Sequence, residues 1–183
     1  MKQKIEKLGF QTFYTSREDS NSPLLPEIIK TGKNLKKLGV ESDTTISLRY
    51  GRRVLINAEN TSLEKIGRSD LIEIVDYDPV KNVLLAIGPK ESKIDSSTHW
   101  MIHHARNEIN AVVQINDSSL AEKLSNSIPT TDKEYPIGSL EFIKEVLKTL
   151  KDGEKIVIRN RGVLFTGSSI KEVENMVLET YRG

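Results

Sequence analysis

The sequence contains no cysteine, so disulfides, thiolate nucleophiles and cysteine-ligated zinc are excluded at once. It has no excess of charge of either sign. Twenty-seven Lys and Arg against 26 Asp and Glu leave a formal net charge of +1, which speaks against nucleic acid or an anionic membrane as a partner. No apolar run approaches the roughly 18 residues of a membrane span, and the start lacks the apolar stretch of a secretory signal, so the expected location is cytoplasmic. The Lys-rich start, Lys2, Lys4 and Lys7 diluted by Glu6, reads as solvated surface. Histidine occurs three times, at His99, His103 and His104, all on one predicted helix, so no nucleophilic triad draws a His from a second segment. Gly-x-Ser-x-Gly and Gly-rich nucleotide loops are missing, and Gly32 and Gly39 stand alone.

What is present is a chain of 183 residues, 37% hydrophobic and 29% charged, in keeping with one globular domain and a substantial core. Aromatic and β-branched residues from Phe10 to Thr15 predict a strand, and Ser16 to Ser22 a loop. Pro26 to Leu38 has a helical stripe closed by Gly39. Thr44–Arg49 and Val54–Asn57 form a hairpin about Tyr50-Gly51-Arg52-Arg53, and Leu71–Tyr77 with Val83–Ile87 a second one. Helix from Ser97 to Arg106, strand from Ile109 to Ile115 and a short helix from Asp117 to Leu124 follow. Leu140, Ile143, Val146 and Leu150 recur at helical spacing, with Gly153 expected to end that helix. Two strands then flank Asn160-Arg161-Gly162, and Ser169-Ile170-Lys171-Glu172 predicts a capping box at the start of the last helix. The pattern is α/β: a single domain with a largely antiparallel central sheet flanked by helices. Residues 1–22 are expected as an N-terminal strand-and-loop extension and 23–183 as the domain proper. Trp100, Phe10, Phe13 and Tyr14 are expected in the core or an interface.

The stretch Arg106-Asn107-Glu108-Ile109-Asn110-Ala111-Val112-Val113-Gln114-Ile115-Asn116-Asp117 resembles the signature strand of the class II aldolase/adducin family. Ile46-Ser47-Leu48-Arg49, Asp70-Leu71-Ile72-Glu73-Ile74, the segment Pro129 to Glu141 and Gly162-Val163-Leu164-Phe165-Thr166-Gly167 followed by Glu172 add to the resemblance in order and spacing. The resemblance implies a zinc-dependent lyase (aldolase) on phosphorylated sugars, assembled as a cyclic homotetramer with active sites between subunits. The residues that would carry this chemistry differ. The two His positions of the signature strand read Gln114 and Asn116, and the His of an Asn-His-Gly turn reads Arg161. The catalytic Glu position, 19 residues before Gln114, reads Asp95, preceded by Lys93 and Ile94 in place of two serines. His99 matches a His common in the family. Thr44-Thr45 replaces a Gly-Asn, and Asn57-Ala58-Glu59-Asn60 replaces a phosphate turn.

Zinc takes imidazole, thiolate or carboxylate donors, and amides beside a permanent cation supply none of these. The expectation is therefore a degenerate aldolase-like protein with no metal ligands and no cofactor, which binds a small anionic metabolite or acts as an oligomeric interaction module. Asp95 would be catalytic only in an active protein, and Gln114, Asn116, Arg161 and His99 are the ligand-binding candidates. Arg161 either pairs with Asp95 or binds a ligand carboxylate or phosphate. The alternative is an active aldolase on a phosphorylated sugar, with an atypical metal site or a site shared with a paralogue. His99 and His103, at i and i+4, could clamp a metal from one face, but His104 points about 100° away. His99 is expected to be structural, and His103 and His104 to lie at the helix surface or a subunit contact.

Overall fold

A computed structural model describes residues 9–183; the Lys2, Lys4 and Lys7 segment lies outside them. Eight strands form one sheet: β1 (Gln11–Ser16), β2 (Asp43–Tyr50), β3 (Arg53–Asn57), β4 (Leu71–Asp78), β5 (Val83–Ile87), β6 (Ala111–Asn116), β7 (Lys155–Ile158) and β8 (Gly162–Gly167). Their spatial order is β1-β5-β4-β3-β2-β6-β8-β7. Every adjacent pair is antiparallel except β1–β5, which is parallel and seats the first strand at the sheet edge. Five helices cover the sheet: α1 (Leu25–Lys37), α2 (Ser96–Ala105), α3 (Ser118–Leu124), α4 (Leu140–Leu150) and α5 (Ile170–Arg182).

The tight turns fall where the sequence puts residues that tolerate positive φ. Gly51 (φ +60) joins β2 to β3 and Asn160 (φ +58) joins β7 to β8. Gly39 (φ +96) follows Leu38, the C-cap of α1, a helix that carries Pro26 in its first turn. Helix α4 ends differently from expectation: the chain reverses at Lys151 (φ +46), and Gly153 keeps an ordinary backbone. The capping box of α5 is only half formed. Ser169 accepts from the Glu172 N–H, while Glu172 turns to the N–H and hydroxyl of Ser168 instead of the Ser169 N–H.

Strand alternation sorts the core into two layers. Ile46, Leu48, Ala111, Val113, Ile115, Val163 and Phe165 point to one face, under α1, α3 and α5. The opposite face carries α2 and α4, packed on Val54, Ile56, Ile72, Val112 and Leu164. Phe10 and Trp100 are in the core, whereas Phe13 on the edge strand is 56% exposed.

Candidate functional site

The same alternation that sends Ile46, Leu48, Val113 and Ile115 into the first layer sends Thr45, Ser47, Gln114 and Asn116 to the face under α2. The β2–β6 register places Thr45 opposite Gln114 and Asp43 opposite Asn116. Helix α2 begins above them, and Asp95 at its N-cap is wholly buried. From the β7–β8 turn, Arg161 reaches in from the third side. Its Nη2 stands 2.9 Å from both carboxylate oxygens of Asp95. The structure thus brings together Asp95 and His99, Gln114 and Asn116, and Arg161, from three separate segments of the chain.

The hydrogen bonds fix the orientation of each group. Gln114 Nε2 donates to Asp95 Oδ1 (3.1 Å) and to Asn116 Oδ1 (2.9 Å). Asn116 Nδ2 donates to Asp43 Oδ2 (2.9 Å) and Asp95 Oδ2 (3.3 Å). Lys93 is buried and donates to Asp43 Oδ1 (2.7 Å) and the Thr44 carbonyl (3.1 Å). Partial burial would raise the Asp43 carboxyl, but the Lys93 ammonium and the Asn116 amide outweigh it and hold Asp43 below the usual carboxylate range.

Two imidazoles continue this network inward. Gln114 Oε1 faces His99 Nε2 at 3.1 Å, His99 Nδ1 and His103 Nε2 both meet the Ser47 hydroxyl, and His103 Nδ1 meets the Ile109 carbonyl. The two carbonyl oxygens only accept, so His99 carries its proton on Nε2 and His103 on Nδ1. Both inner nitrogens are then lone pairs, and the single Ser47 hydroxyl proton serves one of them at a time. A further proton would complete the chain, at the cost of a buried charge near Arg161 and Lys93. Burial prevails: His99 is lowered to about 4 and His103 to about 3, so both rings are neutral at pH 7. His103, expected at the helix surface or a subunit contact, is fully buried, because its i, i+4 relation to His99 turns both toward β2. His104 is partly exposed and stacks on Trp100, ring centroids 3.9 Å apart.

The donor set does not fit a zinc ion. Gln114 Oε1 accepts from His99, Asn116 Oδ1 accepts from Gln114, and both Asp95 oxygens face a guanidinium. No group of three or more His, Asp or Glu side chains placed to hold a metal occurs among the described residues. Beside the Arg161–Asp95 pair opens a cleft of about 350 Å³, walled by the β7–β8 turn and the segment before and within α4. Arg161 Nε is buried and bonded to nothing among the described residues.

Gly162 sets the position of Arg161. A Cβ there would lie 2.1 Å from the Ile115 carbonyl oxygen and 2.9 Å from the Asn116 Cα, both backbone atoms that cannot swing aside. Gly162→Ala is expected to push β8 from β6, cost about 3 kcal/mol or more and lower the melting midpoint by about 6–12 °C. Calorimetry checks this; an unchanged midpoint would show that the strands yield freely.

Comparison with known proteins places this architecture. It is similar to an L-fuculose 1-phosphate aldolase (TM-score 0.73, 16% identity, covering 90% of this chain and 84% of that one). The sugar-phosphate aldolase from Thermotoga maritima (TM-score 0.66, 16% identity, 86% and 91% covered) and the N-terminal class II aldolase domain of a conserved protein from Thermoplasma acidophilum (TM-score 0.61, 12% identity, 91% and 94%) are similar too. The fold is therefore that of the class II aldolases. Residues 26–115 match the family described as Class II Aldolase and Adducin N-terminal domain, and the chain belongs to the class II aldolase/adducin family. No curated protein sequence gives a significant match. None of the helices among the described residues is long and apolar enough to cross a membrane.

Sequence reading passed over Ser47, Asp43 and Lys93 as site residues, along with Lys133 and Arg159 at the cleft. A signal existed for the first: Thr45 and Ser47 alternate with Ile46 and Leu48, which marks a polar face on a strand otherwise destined for the core.

Proposed function

We propose that this protein is a degenerate class II aldolase/adducin-like protein, cytoplasmic and homo-oligomeric, that binds a small anionic metabolite in the cleft beside Arg161 and does not catalyse metal-dependent cleavage. One observation carries the reading: a guanidinium, held 2.9 Å from both oxygens of buried Asp95, supplies the positive charge of the site. Aldol cleavage needs a strong electrophile to hold the developing enediolate, and a zinc ion is the group that serves this in zinc-dependent enzymes. Asp95 alone could contribute a proton transfer worth about 10²–10⁴-fold, too little for that bond cleavage. Both of its oxygens are also occupied, by Arg161, Gln114 and Asn116.

The names of the similar structures make retro-aldol cleavage of phosphorylated sugars the activity to test. Incubated with ketose 1-phosphates, with and without added zinc, the protein is expected to release no aldehyde above the protein-free control. A panel of anionic metabolites is expected to contain at least one that raises the melting midpoint by about 5 °C or more at a hundredfold excess over its Kd. Steady zinc-dependent cleavage would overturn the reading.

A further inference from the structure

The cleft beside Arg161 has a charge pattern that selects among anions. Three cations, Lys133, Arg159 and Arg161, share its wall with the carboxylates of Glu134 and Glu145, and Asp95 lies behind Arg161. Glu145 is tied down by the backbone N–H groups of Asp132 (2.8 Å) and Lys133 (3.4 Å), and Glu134 accepts from the Asn160 amide. Arg159 spends only Nε, on the Thr131 carbonyl at 2.9 Å, and the N–H of Arg159 is held by the Thr131 hydroxyl at the same distance. Among the described residues, both Nη groups of Arg159 are left without a partner, on a fork whose base is fixed. Arg161 likewise has only Nη2 engaged.

Three positive and three negative charges leave no net positive charge to favour a doubly charged ligand over a singly charged one. A flat, singly charged acceptor suits a guanidinium fork best, since its two oxygens match the two N–H groups side by side. Ile137, Phe142 and Ile158 line the same cleft and offer an apolar wall to whatever carries the anion. We propose that the cleft binds a small monocarboxylate with an apolar body, its carboxylate on the free Nη pair of Arg159, with Arg161 Nη1 beside it and Lys133 at the rim. The inference rests on the anion-binding reading above and names its ligand class. It also moves the ligand contacts off Gln114 and Asn116, whose amide groups are all engaged within the network.

Benzoate, its uncharged counterpart benzamide and inorganic phosphate, titrated into the full-length ¹⁵N-labelled protein, test this by amide chemical shifts. Benzoate is expected to move the signals of Lys133, Tyr135, Arg159 and Arg161 in a saturable way, with benzamide at least tenfold weaker. Arg159→Met, an exposed position where folding is not at stake, is expected to weaken benzoate by about tenfold or more, and Lys133→Met by less. Phosphate binding the cleft more tightly than benzoate would overturn the monocarboxylate inference and leave anion binding standing. Cleft signals unmoved by either anion would overturn both.

Discussion

Arg161→Met is expected to lower stability by about 3 kcal/mol, seen as a fall of about 6–12 °C in the melting midpoint. The physical cause is the charge it strands. Asp95 is fully buried, and its two oxygens keep only amide donors from Gln114 and Asn116 and a long contact to Thr45 once the guanidinium is gone. A buried carboxylate without a counter-charge is far costlier than the pair is favourable. Arg161 retains 21% exposure of its side chain, which admits some water and puts the effect at the lower end of the usual range. Adding Asp95→Asn to Arg161→Met is expected to restore more than half of the loss, because it removes the stranded charge. If Arg161→Met left the midpoint within about 2 °C of the parent, the guanidinium would be a ligand group alone and its pairing with Asp95 energetically idle.

Acidification gives the second large effect. In the folded chain His99 is lowered to about 4 and His103 to about 3, both chiefly by burial, against 6.5 for the free side chain. Between those values the unfolded chain binds more protons than the folded one, so stability rises with pH through this window. Their contribution is whole above about pH 6.5 and is lost as the pH falls through 6 and 5 toward the folded values. Between pH 7 and pH 5 each ring costs about 2 kcal/mol, and the two together about 4 kcal/mol. Urea unfolding at the two pH values measures this directly. Equal stabilities would mean that the Ser47-centred chain holds its missing proton already at neutral pH, with one ring charged.

Much of the fold was legible because local chemistry and global pairing agree. Gly51 and Asn160 sit at turns that need positive φ, and the strands on either side alternate in register with their partners. The site was legible in part through spacing: the interval from Asp95 to Gln114 spans one helix and one return strand, which brings the two side chains to 3.1 Å. Other features had no local mark. His103 lies on a helix whose polar and apolar residues are poorly segregated, and its burial follows from Ser47, 56 residues away. Lys151 took over the reversal at the end of α4 although a glycine stands two residues on. The cleft joins a turn of one hairpin to a loop before α4, and nothing in either segment alone points to the other.

The most direct test of the claim that a guanidinium stands where a metal charge would act is the metal content per chain. It should be read by elemental mass spectrometry on untagged protein purified without chelator, then again after gel filtration with excess zinc. The expected content is well below one ion per chain in both states, with the melting midpoint unchanged by the zinc. Near-stoichiometric zinc retained through gel filtration, with a raised midpoint that Asp95→Asn abolishes, would contradict it.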